Sequence, residues 1–182
     1  MSKVGKKPII LPAWVTLSLQ DDTITVTGPK GTLKRVLYPW VSLKQEWDSI
    51  VLGAEWYEMR KFRWLMRSLV QNMITGVSAW YAKKMLVFWV WYTAKAYWSN
   101  GIEFTLGLSH KVHHEVPAWI KVTFEKDPKG NDLILFESHD KELLGEACAR
   151  VRSIKPPEPY KWAGIRFTDE TIKLKPGKAA AK

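Results

Sequence analysis

Nine residues near the start of the chain, LPAWVTLSL at positions 11–19, return as VPAWIKVTF at positions 116–124, an offset of 105. Both copies open a run of period-two alternation, the pattern of strands with one buried face. Each run gives way to apolar residues spaced three and four apart, the period of an amphipathic helix. Strands followed by a helix, twice over, constrain the fold more than any composition figure. The pattern reads as a duplication giving two tandem α+β domains, each an antiparallel sheet covered by a helix.

In the first cycle VTLSLQ and DTITVTG pair around Asp21-Asp22, and TLKRVLY, VSLKQ and DSIVLG continue the meander. From Glu58 the stripe Met59, Phe62, Leu65, Met66, Leu69, Val70, Met73 and Ile74 predicts a helix, with Gly76 as its stop. In the second cycle KKMLVFWVWYTAKAY reads as one strand, turning at Ser99-Asn100-Gly101 into GIEFTLGLSHKV. WIKVTFE and DLILFES form a further pair about Asp127-Pro128-Lys129-Gly130. A helix starts near Asp140, buries Leu143, Leu144, Ala147, Val151 and Ile154, and ends at Pro156-Pro157. Cys148 borders that face as a small buried hydrophobe. The expected divisions are residues 1–81, residues 82–155 and a basic, proline-containing tail at 156–182. That tail has no periodicity, and is expected to be extended or to fold on its partner.

A chain of 182 residues can bury a real core in one domain or two. No apolar run approaches the roughly 20 residues of a membrane span, so no membrane partner is expected. The segment MSKVGKKPII lacks the apolar core of a signal peptide, and predicts no export. A single cysteine excludes an internal disulfide and a thiolate zinc cluster, and places the chain in a reducing compartment. The net charge of +10 is unevenly spread: +5 over residues 1–81, −1 over 82–149 and +6 over 150–182. A basic end on a near-neutral body suits a polyanion, because neutralising phosphates releases counterions; a solvated tail that aids solubility is the plainer reading.

Catalytic motifs are lacking. His110, His113 and His114 in HKVHH have no cysteine or carboxylate at ligand spacing, and on a strand the last two point to opposite faces. GPKGTLK lacks the P-loop spacing and precedes a strand. A catalytic site would have to come from ungrouped residues such as Asp48 or His139. No enzyme, metal, cofactor or small-molecule substrate is therefore expected. The stretch RVRSIKPPEPYKWAGIRF at 150–167 differs: it spreads Arg150, Arg152, Lys155, Lys161 and Arg166 along a chain stiffened by Pro156, Pro157 and Pro159. Tyr160 offers a flat face for a base, and Gly164 allows backbone near phosphate.

KPPEPYKWAGIRF closely resembles the C-terminal signature of the ribosomal protein L-six family of the large ribosomal subunit, which reads Pro-Pro-Glu-Pro-Tyr-Lys-Gly-Lys-Gly-Ile-Arg. MSKVGKKPIILP, ITVTGPKG, RSLVQNMITGV and LGLSHKV are similar to further family segments, in the same order. The resemblance implies a structural, cytoplasmic ribosomal protein that binds large-subunit ribosomal RNA chiefly through its C-terminal domain. It implies neighbouring large-subunit proteins as partners, with translational GTPases docking nearby. Carried over by position, the RNA-binding residues are Ser109, His110, Arg152, Lys155, Tyr160, Lys161 and Arg166. Softer choices are Lys173, Lys175 and Lys178 near the end and Lys3, Lys6 and Lys7 near the start. Two positions depart from the signature: Trp162 stands for Gly and Ala163 for Lys. The rival reading is a free-standing adaptor that binds acidic proteins through its tail.

The eleven tryptophans, at 14, 40, 47, 56, 64, 80, 89, 91, 98, 119 and 162, are a problem of their own. Several fall where a turn asks for φ > 0, which glycine adopts freely and a bulky residue does not. Read as glycine, VFWVWYTA becomes the family's VFGVGYTA, and PAG opens both repeats. A gene whose cell reads UGA as glycine, translated with UGA as tryptophan, would produce this pattern. The alternative is a tryptophan-rich variant whose exposed indoles stack on RNA bases.

Overall fold

The computed structural model describes residues 5, 7–46, 49–54, 60–98 and 100–177. Lys3, Lys6, Lys178, Trp47, Asp48, Trp56 and Ser99 lie outside the described residues, as do Glu58 and Met59, where the first helix is expected to begin. The fold is α+β, with two helices and thirteen strands among the described residues. The chain divides into two compact units, Met1–Tyr81 with His139–Lys141, and Ala82–Ser138 with Glu142–Lys182.

In the first unit, strands β2 (Thr16–Gln20), β3 (Thr23–Gly28) and β4 (Gly31–Val36) form one sheet. Strands β1 (Ile9–Ile10), β6 (Ser49–Ala54) and β5 (Val41–Glu46) form a second. All pairings in both are antiparallel. The β2–β3 hairpin turns through Asp21 and Asp22, with φ of 44° and 62°. Two consecutive left-handed residues make the tight turn that matches strand twist, and aspartate tolerates that region. Helix α1 (Arg60–Ser78) turns Met66, Val70, Met73, Ile74 and Val77 into a core with Ile9, Ile24, Val26, Ile50 and Leu52. Burying each such side chain contributes roughly 1.5–3 kcal/mol. Gly76 does not stop the helix, which runs on to Ser78. A β-carbon there would lie 2.0 Å from the carbonyl oxygen of His139, so close backbone approach, not termination, is what this glycine permits.

In the second unit, β8 (Thr93–Tyr97), β9 (Gly101–Thr105) and β10 (Val112–Glu115) form an antiparallel sheet. A second sheet has the order β11 (Lys121–Lys126), β12 (Asp132–Ser138), β7 (Tyr81–Phe88), β13 (Gly164–Phe167). Each unit thus divides its strands over two small sheets. Helix α2 (Lys141–Ile154) buries Leu144, Ala147, Cys148 and Val151. Leu143 remains partly exposed. Burial pushes the Cys148 thiol up to about 11, against a smaller opposing pull from Lys83.

Two expectations give way. The single strand read over KKMLVFWVWYTAKAY is two strands in different sheets, broken by a turn in which the Tyr92 amide donates to the Trp89 carbonyl at 3.1 Å. Trp89 and Trp91 therefore do not share a strand face. The segment after residue 155 is not simply extended, since Gly164–Phe167 form β13 against Phe88, Val87, Leu86 and Met85. The repeat itself survives as matched geometry: Val15 N donates to Pro12 O at 2.9 Å, and Ile120 N to Pro117 O at 3.0 Å.

Candidate nucleic-acid interface

The chain leaving α2 closes into a loop before it enters β13. Ile165 N donates to Lys155 O at 2.8 Å, tying the loop's ends together. Within it, Glu158 N donates to Ala163 O at 2.9 Å and Trp162 N to Glu158 O at 3.0 Å. Further on, Lys175 N donates to Pro159 O at 3.0 Å, so the following chain folds back over the loop. Proline lacks an N–H, yet its carbonyl still accepts, and the three prolines restrict φ along the same path. Gly164 lies at φ 141°, and a β-carbon there would meet Pro156 O at 2.7 Å and Lys155 O at 2.8 Å. The closure requires glycine at this point.

An ion pair anchors the loop. Arg152 in the last turn of α2 donates from Nε to Glu170 Oε2 at 3.1 Å and from Nη2 to Oε1 at 2.5 Å. The Phe167 amide also donates to Glu170 Oε2, at 3.3 Å. These contacts hold the Glu170 carboxyl below the usual carboxylate range, the Arg152 hydrogen bond being the largest cause, and raise Arg152 in turn. Two-pronged pairing fixes the chain after β13 to the end of the helix.

The residues expected to meet RNA fall into three settings. Tyr160 and Lys161 are exposed on the loop, and Lys155 is half-buried at its closing hydrogen bond. Arg166, on β13, stands over Phe88 at 5.2 Å and over the Trp162 ring at 5.1 Å. Lys161 stands over the Trp89 ring at 5.9 Å. Lys173 and Lys175 are exposed beyond β13. Arg152 is occupied by Glu170. Ser109 and His110 are exposed together in the turn between β9 and β10, away from the loop in sequence but in the same unit. Lys7, in the other unit, is exposed, and its carbonyl accepts from Arg67 Nε at 3.3 Å.

Sequence reasoning missed Lys83 and Lys84 on β7. They line a groove of about 610 Å³ with Phe167 and Glu170; the Lys84 carbonyl accepts from the Thr168 amide at 3.1 Å, and Lys83 stands 5.1 Å from the Phe167 ring. Their signal was the β7–β13 pairing, which no local pattern announces. Glu170 was missed because its partner lies eighteen residues back. Among the described residues no cluster of three metal-ligating side chains occurs, and His114 is held below its usual range by burial, then by Arg150.

Two compact α+β units and a formal charge of +10 define a small, basic α+β protein whose second unit exposes lysines around a closed loop. The family model described as Ribosomal protein L6 matches residues 94–168, which run from β8 through β13. A large ribosomal subunit protein uL6 of Bacteroides thetaiotaomicron is 42% identical over 187 residues, spanning 99% of this chain and 98% of that protein. The uL6 of Desulforapulum autotrophicum is 43% identical over 185 residues and spans both chains fully, and that of Porphyromonas gingivalis is 38% identical over 186. The chain belongs to the ribosomal protein L6 family. That family is structural, not catalytic.

Proposed function

We propose that this protein is a structural constituent of the large ribosomal subunit, in the bacterial cytoplasm, held there by ribosomal RNA through its second unit. Family membership over the whole chain supports the ribosomal role. The observation that carries the RNA contact is the closed loop, which presents Lys155, Tyr160 and Lys161 near Arg166 on a backbone tied by its own hydrogen bonds. A preformed loop loses little entropy on docking, so phosphate contacts translate into affinity. Lys173, Lys175 and Lys178 extend this surface, Ser109 and His110 add a second contact, and Lys3, Lys6 and Lys7 give a weaker one. Arg152 serves by positioning the loop through Glu170. The finer placement, beside the centre where translational GTPases dock, with neighbouring large-subunit proteins as further partners, follows from the family resemblance and is part of the same proposal.

Replacing Lys155, Lys161 and Arg166 together by alanine should weaken binding to large-subunit ribosomal RNA. It should also flatten the plot of log affinity against log salt by about 2–3, roughly one for each cation removed. An unchanged slope removes these residues from the interface. Nuclease treatment should release the native protein from its complex; retention after complete RNA digestion would favour the acidic-protein adaptor instead.

A further inference from the structure

Three of the nine described tryptophans have a backbone that does not suit a bulky side chain, and seven leave their rings exposed. Trp40, Trp98 and Trp162 have φ of 74°, 52° and 63°. The other non-glycine residues with positive φ among the described residues are Asp21 and Asp22, of a type that tolerates it. Trp40 is the clearest case. Val41 N donates to Tyr38 O at 3.2 Å, with Pro39 and then Trp40 at the two central positions. Proline followed by positive φ is a type II turn, whose third position takes glycine or asparagine.

Burial points the same way. An indole ordinarily removes some 150–250 Å² from water in a core or an interface. Here Trp14, Trp40, Trp64, Trp80, Trp91, Trp98 and Trp119 are exposed, from 39% at Trp80 to 85% at Trp98. Trp89 and Trp162 are half-buried, and no described tryptophan enters a core. Trp80 does donate its indole N–H to Lys30 O at 3.2 Å, whereas the Trp162 Nε1–H is buried without an acceptor. Trp14 and Trp119 occupy the matched turns of the repeat without left-handed φ, yet both rings face solvent. Four of the nine lie in the first unit and five in the second, at turns, strand ends and a helix surface.

We infer that glycine occupies the tryptophan positions in the protein as its own cell makes it, each encoded by UGA and decoded there as glycine. The reassignment acts on a codon, so it extends to Trp47 and Trp56. Glycine takes the three left-handed backbones without strain and removes the rings that stand against three cations, Lys30, Lys161 and Arg166. Uncovering Lys161 and Arg166 matters for phosphate contact only if the RNA-binding proposal holds; the inference about residue identity stands apart from it.

The test is peptide mass spectrometry on the native protein purified from its source cells, together with the codons of its gene. The tryptic peptide from Met85 to Lys95 should be lighter than the written sequence by two indolylmethyl groups, and every other recovered tryptophan position should also carry glycine. The gene should hold UGA at all eleven positions. Tryptophan at any recovered position, or a UGG codon at any of the eleven, overturns the inference while leaving the family assignment untouched.

Discussion

The two units descend from one plan but end differently. After α1 the chain passes within three residues into β7. After α2 it builds a closed loop, a strand and a folded-back segment, and residues 155–182 carry seven Lys/Arg against three Asp/Glu, a net charge of +4. The repeated part of each unit makes a core, whereas the unrepeated part, among its described residues, buries only Ala163, Gly164 and Ile165 and exposes Tyr160, Lys161, Lys173 and Lys175. Duplication supplied the scaffold twice, and the addition after the second helix gives one copy the face proposed above to meet RNA.

The sharpest way to break that contrast is at the loop's closure. Gly164→Ala forces a β-carbon against two carbonyl oxygens at a φ that disfavours side chains. It should cost about 3 kcal/mol or more in denaturant unfolding, with loss of RNA affinity. Gly145→Ala, inside α2 where an added β-carbon meets nothing within 4 Å, is the control and should stabilise by about 0.5–1 kcal/mol. A second comparison exchanges units: removing Lys30, Lys34 and Lys44 from the first unit should leave the salt slope of RNA binding nearly unchanged, unlike the triple change in the second. Next comes the anchor. Glu170→Gln should destabilise by roughly 1 kcal/mol, since the pair is partly exposed and screened. Glu170 is depressed in the folded state, so its contribution is present above the ordinary carboxylate value of about 4.3 and is lost as pH falls through the folded value. Thermal unfolding between neutral and acid pH should show that decline diminished in Glu170→Gln. The smallest effect is Trp98→Gly in the chain as written, which should stabilise by about 1 kcal/mol as left-handed strain is relieved.

Much of the scaffold was legible because its signals are local. Asp21-Asp22 announced a hairpin, the Met-and-Leu stripe announced α1, and the PAW echo announced equivalent turns. The failures have separate causes. VFWVWYTA looks like a continuous strand since tryptophan, tyrosine and valine all favour strands, so the turn at 89–92 was hidden by the very letters that glycine would replace. Gly76 looked like a helix stop because a close approach to the His139 carbonyl leaves no trace in nearby residues. The proposed interface was half legible: lysines and prolines at 150–167 signalled a surface, while the Arg152–Glu170 lock and the nearness of Lys83 and Lys84 to β13 depend on pairings across the fold.

The most direct test of the account is ultraviolet crosslinking of purified large subunits from the source cells, followed by mass spectrometry of nucleotide-bearing peptides of this chain. The account predicts ribosomal RNA nucleotides on peptides within residues 150–175, at Tyr160 or Lys161 above all. Crosslinks confined to the first unit, with the 150–175 peptides recovered unmodified, would contradict it.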